Sequence, residues 1–315
     1  MVKVAIAGLG QLAEEVIGAI LADGRHEVTI LSRREASPAD VARGLNWIQV
    51  EYNNKQKLAE SLEGIHTVLS FILVHNDPGN HSQKNLIDAC VQAGVKRFAP
   101  SEWAFFDVEH YPIYRGKLEI REYLKNINSK EKLLEYSLFL PGMFMNYLEP
   151  AEKMNKHLTH SDTFIDFKNR RAILPEGSNA SLSLTRVEDV ARVVAEALSS
   201  ESEWPTHGGI SGNKVTFDDI LSIGQLVRGE PFAVSRVKVE DLKAGKLSSP
   251  WLPMLRHPSF SPEEVRAASE QFAIQSLLAA AQGGWEMSNE WNESLPGFEF
   301  ANLKAVLLES WAGEP

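Results

Sequence analysis

The sequence has one cysteine, Cys90, among 315 residues. No disulfide can close within the chain, so stability has to come from a packed core, and a reducing, cytoplasmic compartment is expected. Basic charge is also scarce: 32 Lys and Arg stand against 42 Asp and Glu, a formal net charge of -10. Such a chain offers no electrostatic footprint to nucleic acid or to an anionic membrane surface. Long apolar runs are missing. No stretch reaches the roughly 20 apolar residues that span a bilayer, and the N-terminal apolar run is too short for a signal peptide. Metal-ligand patterns are missing as well. His75, His81, His157 and His160 have no set of nearby acids or thiols, so no metal is expected. What remains is an ordinary globular composition, 43% hydrophobic and 23% charged.

The informative stretch is the first thirty-odd residues. Val2-Lys3-Val4-Ala5-Ile6-Ala7 is short, apolar and rich in β-branched side chains, and reads as a buried strand. Gly8-Leu9-Gly10-Gln11-Leu12-Ala13 follows directly, and the apolar positions from Val16 to Leu21 recur at helical spacing. Strand, glycine turn and helix are the order that the dinucleotide fingerprint G-x-G-x-x-G/A requires. Gly8 permits the turn and Gly10 lets backbone approach a pyrophosphate. With Gln11 and Leu12 at the helix N-terminus, these are the candidate phosphate-binding residues. A second strand is expected over 26–31, followed by Ser32-Arg33-Arg34. An acid there would bond the ribose 2′-OH of NAD. A guanidinium matches a phosphate, so Arg33 points to NADPH.

Strands are expected over 47–50, 67–72, 96–100 and 136–140, and helices over 58–62, 82–93 and 117–126. This alternation predicts an α/β fold with a doubly wound parallel-sheet Rossmann domain. Ligands of such sheets bind outside the carboxyl ends of the strands, which places Gly8, Arg33, Phe71, Ser101 and Gly142 around one crevice, with His75 nearby. Beyond 142 the alternation weakens. A hairpin is expected over 163–167 and 171–174, a helix capped by Thr185 and ending near 199, and a strand-like segment over 208–211. Another helix is expected to start at 215–219, with a mostly helical remainder. Residues 1–142 with 181–203 are read as the dinucleotide-binding domain, and 143–180 with 204–315 as a smaller, mostly helical substrate-binding lobe. Trp103, Phe105, Phe106, Phe144, Met145 and Tyr147 each fit a core; together near the crevice they predict an apolar, aromatic small-molecule substrate.

These residues resemble a known group, the atypical short-chain dehydrogenases of the NmrA-like, isoflavone-reductase-like family. The most specific part is the run from Gln83 through Val95-Lys96-Arg97-Phe98-Ala99-Pro100 to Ser101-Glu102-Trp103. It is joined by the opening glycine turn, Arg33, and Pro141-Gly142-Met143-Phe144. The likeness spans nearly the whole chain, although the last sixty residues match nothing specific. It implies that Lys117 is the catalytic lysine, facing the nicotinamide, with Phe71 and Ser101 beside the cofactor and Trp103, Phe105, Phe144 and Tyr147 around the substrate. Two departures stand out. Many reductases of the group carry G-x-x-G-x-x-G, and position 113 is Ile113, so the classical Tyr-x-x-x-Lys pair is not present. The resemblance implies an NADPH-dependent reductase of an aromatic or polyketide-like enone, quinone methide or ketone, in secondary metabolism, as a monomer or homodimer. A non-catalytic NADP-binding redox sensor and a cofactor-independent isomerase or lyase are the alternatives. Lys117 favours the enzyme over the sensor, and the intact Gly8, Gly10 and Arg33 count against the last.

Overall fold

A computed structural model describes residues 1–109, 111–256 and 261–314; the side chains of Ile113 and Pro262 lie outside the described set. The first half alternates as the residue pattern demands: β1 (Lys3–Ala7), α1 (Gln11–Asp23), β2 (Glu27–Ser32), α2 (Pro38–Ala42), β3 (Asn46–Gln49), α3 (Lys55–Ser61), β4 (Thr67–Ser70), α4 (His81–Ala93), β5 (Arg97–Ala99), α5 (Arg115–Ile127) and β6 (Glu135–Tyr136). The strands form one parallel sheet in the order β3-β2-β1-β4-β5-β6, with Val4 beside both Val28 and Thr67. Period-two side-chain alternation divides each strand between two cores. Val4 and Ile6 join Val16, Ile17 and Ile20 of α1 on one face. Ala5 and Ala7 join Leu58 of α3, Leu86 of α4 and Ile120 of α5 on the other. The chain order reverses between β1 and β4, which opens a crevice at their carboxyl ends.

The expected sixth strand is divided. Glu135 and Tyr136 pair with β5, and the Ser137 amide still donates to Phe98 O at 3.2 Å. β7 (Leu138–Leu140) instead pairs, in parallel, with a later strand. The second half contains β8 (Met143–Phe144), β9 (Ile165–Asp166), β10 (Arg171–Pro175), β11 (Ser181–Thr185), α6 (Val187–Ser199), β12 (His207–Gly209), β13 (Asn213–Thr216), α7 (Phe217–Arg228), β14 (Ala233–Val237), α8 (Val239–Lys243), α9 (Pro262–Ala281), α10 (Glu290–Ser294) and α11 (Leu303–Ser310). β12 is the partner of β7. The expected hairpin forms as β9 and β10, antiparallel, and β14 adds to β10 in parallel. β11 lies between β13 and β8. The helical remainder therefore carries two three-stranded sheets, covered by a third core that includes Phe164, Leu182, Phe217, Leu277 and Trp285.

Thr185 does not cap α6. It ends β11, and its hydroxyl bonds Ile210 O and the Gly212 amide. The cap position is Arg186 with no cap from its own side chain, and Asn146 Oδ1 accepts the Val187 amide at 2.9 Å. α6 packs beside α1 on the sheet. Trp291 of α10, together with Phe298 and Phe300, joins that same core, so the chain returns to the first sheet after building the third core.

Candidate active site

Gly8 ends β1 with φ +93, and a Cβ there would lie 3.1 Å from the carbonyl carbon and oxygen of Phe71. Only glycine combines that backbone conformation with that closeness of β4. Gly10 is different. Its backbone is extended (φ -117), and a Cβ would meet nothing within 4 Å. It is the N-cap of α1 without a side-chain cap, and the first intrahelical bond is Glu14 N to Gly10 O. The amides of the first turn are thus presented to open space, where the helix dipole favours an anion. Gln11 lines the same crevice with its side chain engaged elsewhere. Its side chain grips Thr159 at both ends, donating to Oγ1 at 2.9 Å and accepting the Thr159 amide at 3.1 Å.

Arg33 and Arg34 diverge. Arg34 pairs with Asp40 at 2.6 Å and lies 4.4 Å over the Trp47 ring. Arg33 is exposed, is held through its main-chain O by Gln49, and has no ion-pair partner among the described residues. It lines both a cleft of about 910 Å³ and an adjoining cavity of about 990 Å³ lined by Tyr52, Asn53 and Lys57.

The cleft of about 910 Å³ gathers the candidate cofactor, catalytic and substrate residues Gly8, Gly10, Gln11, Leu12, Arg33, Phe71, Ser101, Trp103, Phe105, Lys117, Phe144 and Tyr147, with His75 and Gly142. Phe106 and Met145 are not brought there. Phe106 is on the surface under the Arg121 guanidinium, and Met145 is in the core. Trp103 occupies the left-handed region (φ +49), uncommon for so bulky a side chain. It is over-determined there: its ring stacks between Phe71 (4.6 Å) and Phe139 (5.4 Å), and its indole donates to Ser70 O at 2.8 Å. Ser101 is fixed through its amide, which donates 2.8 Å to buried Gln83 Oε1. Gln83 in turn lies in the first turn of α4, where Asp77 accepts the Ser82 and Gln83 amides.

Lys117, in the first turn of α5, is 6% exposed. Its Nζ donates to the Glu102 main-chain O and lies 4.5 Å from the Tyr114 ring centroid. Burial brings its pKa down to about 8; the Glu102 carboxylate opposes that shift and Arg121 adds to it. A buried amine that titrates near neutrality can hold or release a proton there.

Sequence reasoning did not find the far wall. Phe164, Phe272, Ser276 and Trp285 line the cleft, as do Thr159, Asp162 and Arg256 on its lip. Phe272 and Ser276 are four apart on α9, which marks one helix face. Nothing in their local pattern says which cavity that face meets. Tyr114, three residues before Lys117 and so out of phase with the classical Tyr-x-x-x-Lys pair, also lines the cleft, and burial pushes the pKa of its phenol up to about 12. Among the described residues, no helix is long and apolar enough to cross a membrane, and no group of three or more His, Cys, Asp or Glu converges.

This geometry has recognisable relatives. The oxidoreductase BOA1 of Botryotinia fuckeliana is 28% identical over 234 residues, 73% of this chain and 77% of its own. Among solved structures, a leucoanthocyanidin reductase–NADPH complex of Vitis vinifera matches with a TM-score of 0.70 at 16% identity, over 98% of this chain and 99% of that one. A triphenylmethane reductase of Citrobacter sp. matches with a TM-score of 0.69 at 17% identity, over 98% and 99%. At such identities these structures speak to the fold. The model of the NmrA-like family matches residues 3–261, from the first strand to the cap of α9, and the chain belongs to that family.

Proposed function

We propose that this protein is an NADPH-dependent reductase of an apolar, aromatic small molecule, with Lys117 as the proton donor. The observation that carries the reading is a buried lysine in the same cleft as an open helix N-terminus and an arginine without an ion pair among the described residues. The residues fit the dinucleotide: Gly10 leaves room where a side chain would stand, the α1 amides would receive the pyrophosphate, and Arg33 would receive the 2′-phosphate. Bound NADPH supplies a hydride. The chain supplies the rest. Phe71 and Trp103 offer stacked apolar surface at the strand ends, and Phe105, Phe144, Tyr147 and Trp285 give the substrate a wall that excludes water. On an enone, quinone methide or ketone reduced in this cleft, negative charge would grow on the oxygen. Lys117, protonated below a pKa of about 8, stabilises that charge and delivers the proton. The named relatives, an oxidoreductase and two reductases, support the redox class, and the triphenylmethane reductase supports an aromatic substrate. A place in secondary metabolism belongs to the same proposal.

The test is NADPH oxidation with trans-chalcone, 1,4-naphthoquinone and related conjugated ketones. Lys117→Ala should bind NADPH as the parent does and lose turnover by roughly a hundredfold to ten-thousandfold. Lys117→Arg should not rescue it, because a guanidinium keeps its proton at neutral pH. Full activity in Lys117→Ala removes the lysine from the mechanism, and a parent inactive on the whole panel favours the sensor instead.

A further inference from the structure

Lys117 does not hold its place alone. Glu102, at the carboxyl end of β5, is 2% exposed, and its carboxylate receives two bonds from Arg121, at 2.9 Å from Nε and 2.7 Å from Nη2. Arg121 is one turn past Lys117 on α5, so the two cations share a helix face. The third arm of the guanidinium donates to Phe106 O at 2.8 Å, and the Phe106 ring covers it at 4.5 Å. Glu102 also accepts the Lys117 ammonium, but through its main-chain oxygen. One residue therefore offers its carboxylate to Arg121 and its carbonyl to Lys117.

We propose that the Glu102–Arg121 ion pair is a positioning device for Lys117: Arg121 occupies the carboxylate, so that Lys117 is held by a neutral carbonyl and stays free to give its proton into the cleft. This rests on the reading of Lys117 as proton donor. The alternative pairing is close at hand. A carboxylate whose side chain is 1% exposed needs a cation, and without Arg121 the nearest on that face is Lys117. A direct Lys117–Glu102 ion pair would bind the proton tightly and draw the amine towards the protein. Arg121 prevents this by geometry, because its planar fork matches both carboxylate oxygens.

The other charged or titratable groups around α5 do not take this role. Tyr114 and Tyr147 face the cleft as neutral phenols held by burial. His75, from the turn packed on α5, lines the same cleft. On the outer face Glu119 is met by Lys84 and Asn80, and Asp88 takes the Tyr123 hydroxyl. Glu102 and Arg121 are the two charges that bear on Lys117, in opposite directions.

The two halves of the device make opposite predictions. Arg121→Gln leaves Glu102 unpaired and should raise the Lys117 pKa. Glu102→Gln leaves Arg121 alone and should lower it. The double variant removes both charges and should return it towards the parent. Competitive acetylation of Lys117 by acetic anhydride across pH, read by mass spectrometry on the cofactor-free protein, measures this directly. We expect shifts of about one pH unit, upward and downward respectively. Because the donor is the protonated amine, the alkaline limb of kcat should move with them, to higher pH in Arg121→Gln and to lower pH in Glu102→Gln. Arg121→Lys keeps the charge and loses the fork, so its limb should stay near the parent while kcat falls. Equal shifts in one direction, or no shift in either single variant, overturn the proposal. If a single variant does not fold, Arg121→Lys and the double variant decide: a limb displaced by about a full unit in either overturns it. A parent without turnover overturns the reductase reading, whereas the acetylation profile still decides this one.

Discussion

At the scale of single residues, the site separates neighbours that look alike. Arg34 and Arg33 both line the cleft, but Arg34 is paired with Asp40, while Arg33 has no ion-pair partner among the described residues. Arg33→Ala should therefore narrow the preference for NADPH over NADH by roughly tenfold or more, since a charge-assisted contact is worth about 1.5–3 kcal/mol. Titration calorimetry with both cofactors measures it, and a parent that binds both equally would sink the NADPH assignment. Arg34→Ala should leave the preference largely in place. The two glycines separate in the same way. Gly8 is required by the fold, because of its positive φ and its closeness to Phe71. Gly10 has an extended backbone and open space, so Gly10→Val should cost only about 1 kcal/mol, for the poorer N-cap residue, and still abolish dinucleotide binding. Retained NADPH binding in that variant would mean that the pyrophosphate lies elsewhere. The glycine fingerprint and Arg33 could be singled out because each has a chemical meaning tied to its place in a strand–turn–helix unit, and Lys117 because the family resemblance marks its position. That Gln11 would commit its side chain to Thr159, 148 residues away, was not legible.

At the scale of elements, the start of α6 shows how tertiary contacts replace local signals. Thr185 looks like a cap in sequence, yet Asn146 from the turn after β8 supplies the acceptor. The Asn146 and Asn155 side-chain amides both donate to Glu188, so the turn is tied to the first turn of α6. Glu149 is buried at this joint, 3% exposed, with Arg186 at 3.9 Å. Burial raises its pKa to about 7; Arg186 opposes the shift, and Glu188 and Glu309 add to it. The folded chain thus keeps a proton that the unfolded chain loses near pH 4.3, the ordinary glutamate value. Between those values stability falls as pH rises, and the loss persists above pH 7. Glu149→Gln lacks this titration. Relative to the parent it should be more stable at pH 8 than at pH 5 by roughly 1–3 kcal/mol, in urea unfolding at both pH values. An identical difference at the two pH values would show that Glu149 is ionised in the fold. The division of the sixth strand has a similar origin. Residues 136–140 have one continuous apolar pattern, but β5 ends at Ala99, and the partner for β7 comes from β12, about seventy residues later.

At the scale of the whole molecule, the late chain closes back on the early sheet. Trp291 is 1% exposed and stacks on Phe139 at 4.9 Å, with Trp204 edge-on at 5.8 Å. Trp291→Ala should cost about 3–5 kcal/mol, the usual price of removing a large buried aromatic ring. Denaturant unfolding checks this, and a loss below about 1 kcal/mol would show that the end of the chain docks without supporting the sheet. The parallel, doubly wound sheet, the placing of a crevice at the carboxyl ends of its strands and the glycine turn between β1 and α1 were legible in the sequence alone. Period-two and helical spacing, a glycine turn and right-handed crossovers are short-range rules that need no knowledge of distant residues. The tertiary structure alone decided which arginine stays unpaired and how deeply Lys117 is buried. It alone brought Phe164, Phe272 and Trp285 to the far wall of the cleft and set Glu102 between Lys117 and Arg121. Burial, a lowered amine pKa and a shared cavity arise from groups that meet only after folding. Their separations along the chain, up to 168 residues between Lys117 and Trp285, leave no periodic trace.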